Sequence, residues 1–149
     1  MKVHTRYHGD LEISDNEVIY FKNGIPGFPD ETKYILIPLG ENSPFSVLQS
    51  IELIELAFVV TDPFPFYKDY EFEVPDYMIN QLDIKNKEEV RVYCIVTLGD
   101  SLDTSTVNLQ APLVLNSKNN NGKQFVLNTD KYHTKHVLKM NKKEMVQEG

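Results

Sequence analysis

The sequence predicts a mainly β fold: a small closed or half-closed antiparallel β barrel with one or two short helices. Three observations carry this. Nine short apolar or alternating runs follow one another at roughly 8–12-residue spacing. Clusters of Gly, Asn, Asp and Pro separate them, and a single stretch shows helical spacing.

The runs are Lys2–Tyr7, Leu11–Ile13, Val18–Phe21, Lys33–Leu39, Pro44–Ser50, Leu56–Thr61, Val90–Leu98, Leu113–Asn116 and Gln124–Leu127. His8-Gly9-Asp10, Asp15-Asn16, Asn23-Gly24, Gly40-Glu41-Asn42 and Gly99-Asp100 punctuate them. Asn119-Asn120-Asn121-Gly122 is the clearest turn. Its Asn121-Gly122 pair suits the positive φ angles of a tight hairpin joining Leu113–Asn116 to Gln124–Leu127. In Val74–Leu82, Pro75 and Asp76 stand where a helix begins, and Met78, Ile79 and Leu82 share one face. A short turn is expected at Asn86-Lys87-Glu88-Glu89. The division expected is one β-barrel-like domain over 1–138 and a polar tail over 139–149, frayed or weakly helical.

The chain has 149 residues, 41% of them hydrophobic, enough for one core without covalent staples. Its single cysteine, Cys94, sits in an apolar run and reads as a small core residue, so no intrachain disulfide forms. Met1-Lys2-Val3-His4-Thr5-Arg6 lacks the apolar stretch of a secretory signal, and no apolar run approaches the roughly 18 residues of a membrane span. The expectation is a soluble, cytoplasmic protein that does not engage membranes. Net charge is −7, unevenly spread: residues 41–90 carry 11 acidic and 3 basic side chains, whereas 118–143 carry 7 lysines and one aspartate. The acidic half repels nucleic acid and attracts basic proteins. The lysines lack an aromatic platform or a binding motif, so direct nucleic-acid contact is not expected.

The densest signal is Asp62–Glu73, DPFPFYKDYEFE, in which five of twelve residues are aromatic and four acidic. Pro63 and Pro65 prevent the preceding strand from continuing, since neither can donate to a ladder. Aromatic side chains beside carboxylates suit a protein partner. Phe64, Phe66 and Phe72 read as core residues. Tyr67 and Tyr70 read as a wetter edge, because their hydroxyls need partners.

Catalytic motifs are lacking. There is neither a glycine-rich phosphate loop nor a nucleophile elbow. Gly24-Ile25-Pro26-Gly27-Phe28 reads as a rigid turn projecting Ile25 or Phe28. The histidines fall as His4/His8 and His133/His136. No Cys or acidic cluster completes a ligand set beside them, so neither metal nor cofactor is expected. Asp100–Thr106 reads as a self-capping loop.

Several segments together resemble the bacterial flagellar assembly factor FliW family. They are Gly24-Ile25-Pro26-Gly27-Phe28, Ser43-Pro44-Phe45-Ser46-Val47-Leu48-Gln49-Ser50, Ala57-Phe58, Asp62-Pro63-Phe64, Asp69-Tyr70-Glu71, Asn108-Leu109-Gln110-Ala111-Pro112 and Gly122-Lys123-Gln124. They stand in family order across most of residues 3–138. Tyr132-His133-Thr134-Lys135-His136 is similar to the form seen in members that pair with a CsrA regulator. The resemblance implies a non-enzymatic β-barrel-like protein with two protein partners. These are flagellin, held before export, and the translational regulator CsrA, which represses flagellin mRNA translation until the free assembly factor antagonises it. Candidate contact residues are Ile25 and Phe28 from the turn; Tyr67, Asp69, Tyr70, Glu71 and Glu73 from the aromatic-acidic loop; and Asn108 and Gln110. Asn108 and Gln110 read equally as backbone caps where Pro112 bends the chain. Phe45, Leu48, Phe58, Val59, Val92, Ile95, Leu113, Val114 and Val126 are assigned to the core or its margins. Two rival readings remain: a small-molecule or carbohydrate-binding barrel, which a cavity would favour and a filled interior would not, and a metal-dependent hydrolase.

Overall fold

Seven strands close on themselves. The computed structural model describes residues 1–138; the expected tail at 139–149 lies outside the described residues. The strands are β1 (Lys2–His4), β2 (Asp10–Glu12), β3 (Ile19–Phe21), β4 (Lys33–Pro38), β5 (Phe45–Ser50), β6 (Ala57–Thr61), β7 (Val90–Thr97), β8 (Thr106–Val107), β9 (Leu113–Asn116), β10 (Asn121–Gln124) and β11 (His136–Val137). One α-helix, α1 (Asp76–Gln81), joins 3-10 turns at Asp15–Glu17, Lys87–Glu89 and Leu102–Thr104. The ring runs β7-β6-β5-β4-β3-β10-β9 and back to β7. β8 and β11 extend from β7 as a side branch, and β1–β2 form a separate hairpin.

Ring closure explains one departure from the expected antiparallel barrel. Strand direction cannot alternate all the way around an odd-numbered ring. At least one neighbouring pair must be parallel, and here it is β10 with β3, through Asn121↔Tyr20 and Gly122↔Phe21.

Strand side chains alternate between faces, and in β4, β7 and β9 both faces carry packed apolar residues. In β4, Tyr34 and Leu36 join the interior cluster, while Ile35 and Ile37 pack outside against Val3, Ile13 and Val18. In β9, Leu113 and Leu115 point inward, and Val114 packs outside with Met78 and Leu82 of the α1 segment. In β7, Tyr93 and Ile95 face in, and Cys94 and Val96 face out. The interior is filled: Phe21, Tyr34, Leu48 and Leu113 are each no more than 1% exposed. Three outer coverings complete the layers: the β1–β2 hairpin, α1, and an aromatic group built from residues 64–72 and the C-terminal segment.

Several expectations shift. The β9–β10 connection turns at Ser117–Asn120, and Asn120 takes the positive φ of 59°. Asn121 and Gly122 already lie in β10, paired with Asn116 and Leu115. Gly122 is required for space: a Cβ there would lie 2.4 Å from Leu115 Cδ2 and 2.9 Å from the Phe21 ring. The strand expected at Gln124–Leu127 ends at Gln124, and Val126 is 60% exposed rather than core. Its neighbours Phe125 and Leu127 pack into the outer aromatic layer instead, donating backbone bonds to Pro112 O (2.9 Å) and Gln110 O (2.7 Å). The expected run Lys2–Tyr7 ends at His4, because Thr5 begins a turn closed by its backbone and hydroxyl bonds to Gly9 O.

Candidate functional site

The aromatic-acidic segment is a compact turn rather than an open loop. Its carboxylate opens it, with Asp62 Oδ1 accepting the Phe64 N–H at 3.0 Å. Phe66 and Tyr67 donate to Pro63 O at 3.1 and 2.9 Å, and Tyr70 donates to Tyr67 O at 3.0 Å. The chain then passes through Glu71–Val74, outside any helix or strand, into α1.

Tyr70 lies at its centre. The sequence placed it at a wet edge; it is 4% exposed, whereas Phe64, read as core, is 41% exposed. The reason is its hydroxyl, which finds a buried acceptor by donating to Leu109 O at 2.7 Å. Its ring packs on Phe64 (5.8 Å), Phe72 (5.6 Å) and, edge to face, Tyr132 (4.7 Å). Burial holds the Tyr70 phenol well above its ordinary value and pushes the adjacent Cys94 thiol up to about 12. Both stay protonated at neutral pH, and Cys94 is an inert core residue.

A C-terminal strap, residues 132–138, lies over this turn, and nothing in its composition announced that role. Tyr132 Oη accepts the Glu71 N–H at 3.2 Å. His133 O accepts both the Leu109 and Gln110 N–H groups at 3.2 Å. His136 Nε2 accepts the His133 N–H at 2.8 Å, which requires an unprotonated Nε2. Tyr67 donates its hydroxyl to Val137 O, and β11 pairs with β8 through His136↔Val107 and Val137↔Thr106. Burial, and then the neighbouring His133, lower the His136 pKa below its ordinary value.

What this leaves outside is an acidic ridge. Asp69, Glu71 and Glu73 are exposed and Tyr67 half-buried. Grooves flank Glu71-Phe72-Glu73 on both sides. One, of about 460 Å³, is walled by Phe125, Leu127 and Tyr132; the other, of about 720 Å³, by α1 and the start of β7.

Gly24–Phe28 forms a hydrogen-bonded turn. Phe28 N donates to Ile25 O at 2.7 Å, with Gly27 at φ 96°. Gly24 holds φ 68°, and a Cβ on it would lie 2.4 Å from Phe28 O. The turn splits its two candidates. Ile25 is 2% exposed inside the barrel and is not projected, because the turn folds it over the open barrel end. Phe28 is 39% exposed, with its ring edge-on to Phe58 at 6.1 Å. Asn108 and Gln110 sit on the strap side. Asn108 Oδ1 accepts the Gln110 and Ala111 N–H groups, each at 3.1 Å, the capping geometry ahead of Pro112. The structure therefore brings Tyr67, Asp69, Glu71 and Glu73 together and leaves Phe28 on a separate surface at a barrel end.

His4 Nδ1 meets Asp10 Oδ1 at 2.6 Å across the β1–β2 hairpin. Among the described residues no three His, Cys, Asp or Glu side chains gather as a metal site, and no helix is long and apolar enough to cross a membrane.

Fold and site together define a small closed β barrel with a filled interior and an acidic, aromatic outer ridge. A family profile described as FliW protein matches residues 2–138. The flagellar assembly factor FliW of Bacillus pumilus is 41% identical over 140 residues, covering 94% of this chain and 97% of that one. Those of Bacillus subtilis and Clostridium novyi are 44% and 46% identical over 138 residues, covering 93% of this chain and 96% of each relative. A crystal structure of the flagellar assembly factor FliW superposes with a TM-score of 0.89 at 40% identity, covering 95% of this chain and 99% of that one. The chain belongs to the FliW family of flagellar assembly factors, a family of assembly factors rather than enzymes.

Proposed function

We propose that this chain binds flagellin in the cytoplasm as a chaperone before export and, when free of flagellin, binds and antagonises a CsrA-type translational regulator, relieving repression of flagellin synthesis. The observation that carries this reading is the ridge. Asp69, Glu71 and Glu73 stand exposed on a buried aromatic base, within a segment of net charge −8 over residues 41–90. A basic RNA-binding protein is the natural counterpart of such a surface. Carboxylates held beside its RNA site repel phosphates without filling that site. The repulsion weakens with salt, since the Debye length is about 8 Å at physiological ionic strength.

The filled barrel interior supports protein binding over a small-molecule barrel, because the grooves lie outside the ring. The test is isothermal titration against purified CsrA, alone and with monomeric flagellin present. Binding that flagellin abolishes supports the partner switch; no binding to either protein in low or moderate salt defeats it. If Glu71→Lys with Glu73→Lys leaves RNA release by the bound regulator intact, the repulsion mechanism fails.

A further inference from the structure

The smaller of the two grooves beside the ridge, about 460 Å³, joins aromatic faces to unpaired carboxylates. One wall is Glu71-Phe72-Glu73; the other is the segment 125–132 that returns from β10 to the strap. Phe72 is half-buried, with its ring 6.2 Å from that of Phe125. Glu71 and Glu73 are exposed, and among the described residues neither carboxylate joins an ion pair. Glu71 is anchored through its backbone, by the N–H bond to Tyr132 Oη, so its side chain is left for other use. Tyr132 closes the groove and is itself fixed by T-shaped packing with Tyr70 at 4.7 Å.

A cation already lies on this wall. Lys131 Nζ stands over the Tyr132 ring, 5.5 Å from its centroid, inside the range of about 6 Å at which a ring face attracts positive charge. Lys131 lines the same groove and is exposed. It lies beyond ion-pairing distance of Glu71 and Glu73. Its ammonium therefore uses the ring and leaves the carboxylates unused. A planar guanidinium can use both, because it stacks on an aromatic face while its edge forks to carboxylates. Its methylene stem suits apolar walls.

We propose that this groove seats an arginine side chain of a basic partner protein. The guanidinium takes the Tyr132 face in place of Lys131 and donates to Glu71 and Glu73, and its stem lies along Phe72 and Phe125. Lys131 is then a tethered competitor that the incoming arginine displaces. The proposal rests on the reading of this chain as a factor that docks a basic protein, and it names the anchor which that partner supplies.

The test uses the full chain, isotope-labelled, with acetyl-Gly-Arg-Gly-amide and its counterparts carrying lysine or citrulline. NMR follows the amides of residues 71–73 and 127–132 and the ring signals of Phe72, Phe125 and Tyr132. Millimolar arginine peptide should shift these signals and show cross-relaxation between its methylene protons and the three rings. The lysine peptide should bind severalfold more weakly, and the citrulline peptide, which keeps the shape and loses the charge, about tenfold more weakly. Glu71→Gln with Glu73→Gln should weaken arginine binding about tenfold. Lys131→Gln, at an exposed position, should strengthen it severalfold. Shifts scattered over carboxylates elsewhere, equal binding of the lysine peptide, retained binding by the double glutamine variant, or no gain in Lys131→Gln would each overturn the proposal. CsrA and flagellin are titrated against the native chain and Lys131→Gln. If either binds and neither affinity rises in Lys131→Gln, the groove proposal fails and the functional reading survives. If neither binds, that reading fails while the peptides still decide the groove.

Discussion

The two faces of β7 are made from similar residues and held in different ways. Inside, Tyr93 and Ile95 join a closed cluster in which Phe21 packs edge to face on Tyr34 at 5.4 Å. Outside, Cys94 and Val96 lie under a layer assembled from the 62–73 turn and the 132–138 strap. That layer is tied down by tyrosine hydroxyls reaching backbone carbonyls far along the chain, Tyr70 to Leu109 and Tyr67 to Val137. The inner layer is sealed by ring closure. The outer one is discontinuous and is where the exposed carboxylates and grooves lie. The contrast separates two duties: the interior secures the fold, and the covering presents the surface.

Deleting an interior anchor should produce the largest effect. Phe21→Ala empties a fully buried site and should cost about 3–5 kcal/mol in denaturant unfolding. An equal loss from an outer-layer substitution would break the contrast. Tyr70→Phe retains the ring but leaves the buried Leu109 carbonyl without its donor. A loss of about 1–2 kcal/mol is expected, with an unchanged denaturant slope.

A smaller effect should appear with pH. His136 has a depressed pKa in the fold, so the unfolded chain binds its proton more readily. The stability it contributes is complete above the ordinary value of 6.5 and is lost as pH falls from there through the folded-state pKa. Thermal unfolding between pH 8 and 5 should therefore fall more steeply for the native chain than for His136→Gln. A His136 NMR titration midpoint at or above 6.5 would contradict the strap geometry. The smallest stability change belongs to the ridge. Glu71→Lys with Glu73→Lys should stay within about 0.5 kcal/mol of the native chain while altering partner binding, which calorimetry would register.

Recovery from sequence was uneven for physical reasons. The long strands β4, β5, β6 and β7 were visible because their apolar runs are continuous, as a barrel covered on both faces requires. The two-residue strands β8 and β11 carry no periodicity at all. The aromatic-acidic segment stood out by composition, yet composition could not order its rings. Tyr70 goes in and Phe64 out because a hydroxyl acceptor, Leu109 O, waits 39 residues away in the chain. Ile25 and Phe28 share one turn and part company because only one of them lies over the open barrel end.

By itself the sequence determined the β class, the turn chemistry at Gly24–Phe28, the inert role of Cys94 and the acidic character of residues 41–90. These follow from local propensity, backbone freedom and charge, which need no distant partner. Only the tertiary structure decided the parallel β10–β3 seam, the burial of Tyr70 and the strap. Each depends on which remote segments meet: the seam on the parity of a closed ring, and the others on hydrogen-bond partners that the chain supplies dozens of residues away.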